Sequence, residues 1–194
     1  MDIRLLDVSA VIGLFAAIVL TINILLGMLL STAYRRSDLW KKMPAKIKAI
    51  SLDDVHNWTA YVALALVLLH PLFLILDKST HFFLKDVLFP LNAPKQKWLV
   101  ALGTISLYAL IVVIVTTQKA VKKKMTFRAW KNIHLVSYIT ALLFVVHGIF
   151  LDPELKDRPV DFLDGEKLVP ELCGIILIAA TVMRYRYHLK KKPE

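Results

Sequence analysis

The stretch VHNWTAYVALALVLLHPLFLIL, residues 55–76, is apolar enough to cross a lipid bilayer, yet it carries His56 and His70, 14 positions apart. A second stretch, IHLVSYITALLFVVHGIFL, residues 133–151, repeats the pattern with His134 and His147, 13 positions apart. An ionisable side chain within hydrocarbon costs roughly 2.5 kcal/mol or more, so four of them at nearly matched spacing need a purpose.

Outward from these two stretches lie three further apolar runs, at residues 8–33, 98–117 and 168–185. Each is near the ~20 residues that cross ~30 Å of hydrocarbon. The last is the weakest, its strictly apolar centre covering only 172–183, but Leu168, Val169, Tyr185 and Tyr187 extend it to a crossing. With 57% hydrophobic residues and a mean hydropathy of +0.60, the chain is too apolar for a soluble domain of 194 residues. The expectation is an all-α integral membrane protein, a single five-helix bundle over residues 1–194. Its connecting segments are too short to hold a separate soluble domain.

The net charge of +10 is arranged for a bilayer, not for nucleic acid. Arg35, Arg36, Lys41, Lys42, Lys46 and Lys48 follow the first run; Lys119, Lys122, Lys123, Lys124, Arg128 and Lys131 follow the third; Arg184, Arg186, Lys190, Lys191 and Lys192 close the chain. Only Asp38, Asp53, Asp54 and Glu194 oppose them on that side. The positive-inside rule therefore puts the N-terminus outside and the C-terminus in the cytoplasm. The first run is too long, and its cations too late, for a cleavable signal peptide. Cys173 has no intrachain partner and is expected as a buried thiol.

This topology makes the second and fourth helices parallel and pairs the histidines by depth: His56 with His134 on the cytoplasmic side, His70 with His147 on the outer side. Fourteen residues rise ~21 Å and thirteen ~19.5 Å, so two metal centres would stack through most of the membrane. One shared ion is excluded by that separation, and a zinc or di-iron centre would want carboxylates or cysteines clustered nearby. Two stacked haems between the second and fourth helices fit better. A histidine on each face leaves the iron an electron carrier without an open position. Each ligand must hold its other ring nitrogen in a hydrogen bond, for which a carbonyl one turn earlier in its own helix is the expected acceptor. The helical phase is awkward: 14 residues fall ~40° short of four turns, and 13 fall ~140° short. A distortion near Gly148, a π-bulge or differing rotamers would restore the alignment.

Local residues support this frame. Ser51 and Asp54 form a capping-box-like start to the second helix. Ala60, Ala63, Ala65, Ala141 and Gly148 leave space for a flat macrocycle, with close helix packing as the plainer account. Asn23 is expected to make an interhelical hydrogen bond. Trp58 and Trp130 suit either the inner haem or interfacial anchoring. Arg35, Arg36, Arg128 and Lys131 lie near the inner level, where they would meet haem propionates or an acidic donor protein, or serve only as topogenic charge. The acidic segment from Asp152 to Glu171 reads first as a solvated outer loop and second as an attractor of ferric ion or a basic partner. His81 and His188 are expected in solvent.

The motifs His56-Asn-Trp, Leu-His70-Pro71 and Trp130-Lys-Asn-Ile-His134, continued by Tyr138 and His147, resemble the ferric reductase-like transmembrane family over about residues 10–187. That family includes NADPH oxidases, ferric reductases and the haem subunit of methionine sulfoxide reductase systems. The resemblance implies the 14 and 13 spacings and axial ligation of two b-type haems by the four histidines. It also implies electron flow from cytoplasm to outside through a stand-alone haem subunit of an oxidoreductase in a bacterial or archaeal cytoplasmic membrane. Some relatives keep one haem, which is the alternative count. No G-x-G-x-x-G or P-loop pattern occurs, so no flavin or quinone site is visibly encoded. A flavoprotein or membrane quinol would then act as donor in trans. Ferric ion, oxygen or a periplasmic oxidoreductase would be the acceptor. The competing class is a haem-free scaffold or a proton-coupled transporter with histidine relays, disfavoured by the lack of Asp and Glu in the expected spans.

Overall fold

A computed structural model describes residues 4–190. Lys191, Lys192 and Glu194 of the cationic tail, and the side chains of His188 and Lys190, lie outside the described residues. Five long helices dominate: α1 (Leu5–Leu30), α2 (Leu52–Leu76), α3 (Lys97–Thr117), α4 (Phe127–Phe150) and α5 (Gly165–Lys190). All five are long and apolar enough to cross a membrane, so the expected integral membrane bundle is the fold. All five helices begin ahead of their apolar runs, and at α2 and α4 a side-chain cap marks the start. Thr126 accepts a hydrogen bond from the Ala129 N–H at 3.2 Å and starts α4 well ahead of residue 133. Ser51 does the same for the Asp54 N–H at 3.3 Å, giving half of the expected box.

α1 packs on α2, on α5 and, across the bundle, on α4; α5 packs on α4, α4 on α3, and α3 on α2. Contact is most extensive between α1 and α2 and between α3 and α4, whereas α2 and α4 barely touch. The two histidine-bearing helices are thus held by their neighbours with a gap between them. The central core joins Ala16, Ala17, Leu20 and Ile24 of α1 to Ala63 and Val67 of α2, Leu107 and Leu110 of α3, Ala141 and Val145 of α4, and Cys173 of α5. Cys173 is a buried free thiol, as expected. A smaller cluster of Leu6, Leu74, Phe82, Val100 and Leu155 seals the end opposite the cationic connections.

At that end the acidic loop is exposed at Asp157, Asp161, Asp164 and Glu166, as expected of a solvated loop, but its first residues are not. Asp152 is buried, pairs with Arg158 at 2.7 Å, and accepts the N–H groups of Glu154, Lys156 and Arg158. Burial opposes its ionisation, but these donors outweigh that and hold its carboxyl far below the usual range. Glu154 pairs with Lys156 at 2.6 Å. Two of the loop's acids are therefore committed to its own structure. His81 is exposed, as expected.

Candidate functional site

The structure brings the four histidines together in the pairs that depth assigned. The ring centres of His56 and His134 lie 6.1 Å apart and those of His70 and His147 lie 6.3 Å apart, both near perpendicular. Two imidazoles on opposite sides of one metal ion need roughly this spacing: ~2.0 Å for each metal–nitrogen bond and about 1.1 Å from nitrogen to ring centre gives about 6.2 Å in all. The outer pair opens onto a cavity of about 290 Å³ lined by Gly13, Val67, Gly103, Phe144 and Gly148.

The second ring nitrogens are not held as the sequence suggested. His56 Nδ1 lies 3.0 Å from the carbonyl oxygen of Asn23, His70 Nδ1 lies 2.8 Å from that of Ser9, and His147 Nδ1 lies 2.7 Å from that of Leu99. All three acceptors sit on α1 or α3, not on the ligand's own helix. The carbonyl one turn earlier is within reach of short hydroxyls, as Thr59 shows with Val55 at 2.8 Å, whereas these imidazoles extend away from their own helix and meet the carbonyls of the neighbouring one. A Nδ1–H donated to a carbonyl fixes the tautomer and leaves the Nε2 lone pair free for a metal.

Each of these acceptors is followed four residues later by glycine: Ser9 by Gly13, Asn23 by Gly27, Leu99 by Gly103. A Cβ on Gly13 would fall 3.0 Å from His70 Nδ1, one on Gly27 3.1 Å from His56 Cε1, and one on Gly103 2.9 Å from His147 Cε1. Residue i+4 is where a helix offers its N–H to carbonyl i, so a side chain there would shield that oxygen. Glycine lets the imidazole reach it. The side chains add to the hold. Ser9 Oγ donates to the His70 carbonyl at 2.7 Å, and Asn23 Nδ2 donates to the His56 carbonyl at 2.5 Å and to Thr59 Oγ1 at 2.8 Å.

His134 is the exception, since its Nδ1 is buried and has no hydrogen-bond partner among the described residues. It stacks instead on Trp130, with ring centres 5.3 Å apart and planes 21° from parallel. Helix α4 is α-helical without a break from Phe127 to Phe150, with no π-bulge. The ~140° phase offset is therefore absorbed by side-chain direction: His147 leans toward α3 and His134 toward Trp130.

The remaining expected residues fall as follows. Arg35, Arg36, Arg128 and Lys131 are all exposed, and Arg35 donates to Tyr34 Oη at 3.0 Å. Ala63 and Ala141 belong to the packed core and Ala65 is exposed, so the space beside the imidazoles comes from the glycines. Gly148 admits Pro170 of α5, whose Cβ lies 3.1 Å from where a glycine Cβ would stand. Trp58 is 71% exposed, as an anchor would be. Ser9, Gly13, Gly27, Leu99 and Gly103 were missed. One signal for three of them was present: Ser9 with Asn23, and Gly13 with Gly27, repeat the 14-residue spacing of His56 and His70.

Residues 12–145, more than half of the chain, match the family model described as ferric reductase like transmembrane component. The match includes His56, His70 and His134 and ends two residues before His147. Searches of curated proteins and of solved structures each found no match.

Proposed function

The chain belongs to the ferric reductase-like transmembrane family, and from that premise we propose that it carries single electrons across the membrane through two b-type haems. His56 and His134 hold the inner haem, His70 and His147 the outer. A haem held there would supply reversible one-electron chemistry. The chain's own residues orient the ligands, fix the tautomers of His56, His70 and His147, and exclude water. Rises of ~21 Å and ~19.5 Å between the two levels make them successive stations on one path.

The observation that carries the proposal is the set of three carbonyl–glycine cradles, each of which directs a histidine with its Nδ1–H engaged into the gap between α2 and α4. Packing alone does not require three imidazoles to be turned alike. The distribution of Lys and Arg puts the inner pair on the cytoplasmic side, so the donor is a cytoplasmic flavoprotein or a membrane quinol. The acceptor is extracytoplasmic: ferric ion, oxygen or an oxidoreductase.

The test is a reduced-minus-oxidised visible spectrum of the purified chain, with haem counted per protein. Two haems with six-coordinate low-spin bands are expected. A folded chain that takes up no haem on reconstitution overturns the proposal, and a single haem retained by a His70→Ala variant but lost by His56→Ala restricts it to the inner pair.

A further inference from the structure

Four ligands and three cradles leave one imidazole held differently. Fourteen residues beyond Leu99 and Gly103 on α3, the repeat at which α1 forms its second cradle, stand Val113 and Thr117. The Val113 carbonyl already accepts the Thr116 hydroxyl at 3.0 Å, and Thr117 carries a side chain where the other cradles have glycine. α3 thus offers no second cradle at that repeat. On the other side of His134 lies Trp130, and 3.8 Å from the centre of the Trp130 ring lies the ammonium of Lys122.

Resting on the haem reading above, we infer that Trp130 is the positioning residue for His134, and that Lys122, clamped on Trp130, tunes the inner haem apart from the outer. The stack Lys122–Trp130–His134 fixes the plane of the ligand by cation–π and ring contact, in place of a hydrogen bond. Its chemical consequence has a sign. A Nδ1–H given to a carbonyl makes imidazole a more basic ligand and favours ferric iron. His134 lacks that push, and the positive charge of Lys122 further disfavours the more positive oxidation state. Both effects raise the inner potential.

The experiment uses the full haem-loaded chain in detergent, with potentiometric titration followed in the visible and haem counted per protein. The component lost in His56→Ala identifies the inner centre. Lys122→Gln is expected to lower the inner midpoint potential and leave the outer unmoved, while Lys123→Gln, which removes an equal charge one residue away, has a smaller effect. Trp130→Leu is expected to weaken haem binding at the inner centre about 10- to 100-fold, as loss of a ligand's supporting contact typically does. Trp130→Phe, which keeps an aromatic face, restores it. An inner centre that keeps its occupancy and potential in Trp130→Leu, or a Lys122→Gln shift shared equally by both centres, overturns the inference. If Trp130→Leu fails to fold, the two lysine variants decide it. A parent chain without haem overturns the haem reading itself, a result distinct from any of these.

Discussion

Replacing Gly103 by alanine separates the stability of the bundle from the integrity of its site. In a helix interior alanine is favoured over glycine by about 0.8–1.0 kcal/mol, so α3 by itself gains. The new Cβ, however, would lie 2.9 Å from Cε1 and 3.0 Å from Nδ1 of His147. Ordinary carbon contacts sit at about 3.5 Å or more, so the ring must retreat by roughly 0.5 Å. That retreat stretches the 2.7 Å hydrogen bond to the Leu99 carbonyl to about 3.2 Å, the outer edge of the normal range, and weakens it. Its net worth of about 0.5–1.5 kcal/mol nearly cancels the helix gain, and the thermal midpoint of the haem-free chain should hardly move. Haem binding at the outer centre should nonetheless fall about 10- to 100-fold, because the ligand is displaced and its hold on the proton acceptor is weakened. The assay pairs thermal unfolding of the haem-free chain with a haem titration resolved into two components in the visible spectrum. An outer component of parental affinity in Gly103→Ala would refute the cradle argument. So would a fall in both components together.

Other outcomes follow from the same geometry. His56→Ala or His134→Ala should remove the inner haem and spare the outer, read as half the haem per protein with one set of bands; loss of both from either single variant would contradict the pairing. Asn23→Ala removes the bonds from Nδ2 to the His56 carbonyl and Thr59, and should cost about 0.6–1.7 kcal/mol, the range seen for hydrogen bonds between membrane helices. It should broaden the inner component only, since the Asn23 carbonyl that accepts His56 Nδ1 stays in place. Asp152 has a folded-state pKa below its unfolded value, so its contribution is complete above the ordinary carboxylate range of about 4 and is lost as pH falls through the folded pKa. Asp152→Asn should therefore melt earlier than the parent by a constant margin from pH 7 to 5, with the gap narrowing below about pH 4; a gap that widens on acidification would contradict this.

What the sequence made legible was the part encoded in side-chain identity. Five apolar runs mark five helices, and His56, His70, His134 and His147 pair by depth because parallel helices share one rise per residue. The acceptors for their ring protons were not legible in this way. They are backbone carbonyls, which every residue carries, so Leu99 looks like any other leucine of α3. Only the glycine four positions later betrays the acceptor. Trp130 was readable as an interfacial anchor or as a neighbour of the inner site, and its stack on His134 decides for the latter. Asp152 was illegible for a different reason: composition cannot show that it spends its charge on the three N–H groups and the guanidinium of its own turn.

The helices that supply no ligand carry much of the specification. α1 presents two carbonyl–glycine cradles 14 residues apart to two histidines 14 residues apart on antiparallel α2. Sliding α1 past α2 by one residue would carry both acceptors ~1.5 Å along the axis and ~100° around it, and would break both cradles at once. Register and ligand orientation are therefore one constraint. The 13-residue spacing on α4 cannot be matched in the same way by a single straight neighbour, since its histidines leave the helix on different faces. α3 serves one of them with Leu99 and Gly103, and the other turns to Trp130. The unequal spacing of the two histidine pairs and the unequal support of the inner ligand are, on this argument, the same fact: a phase mismatch in α4 leaves His134 out of reach of a second cradle.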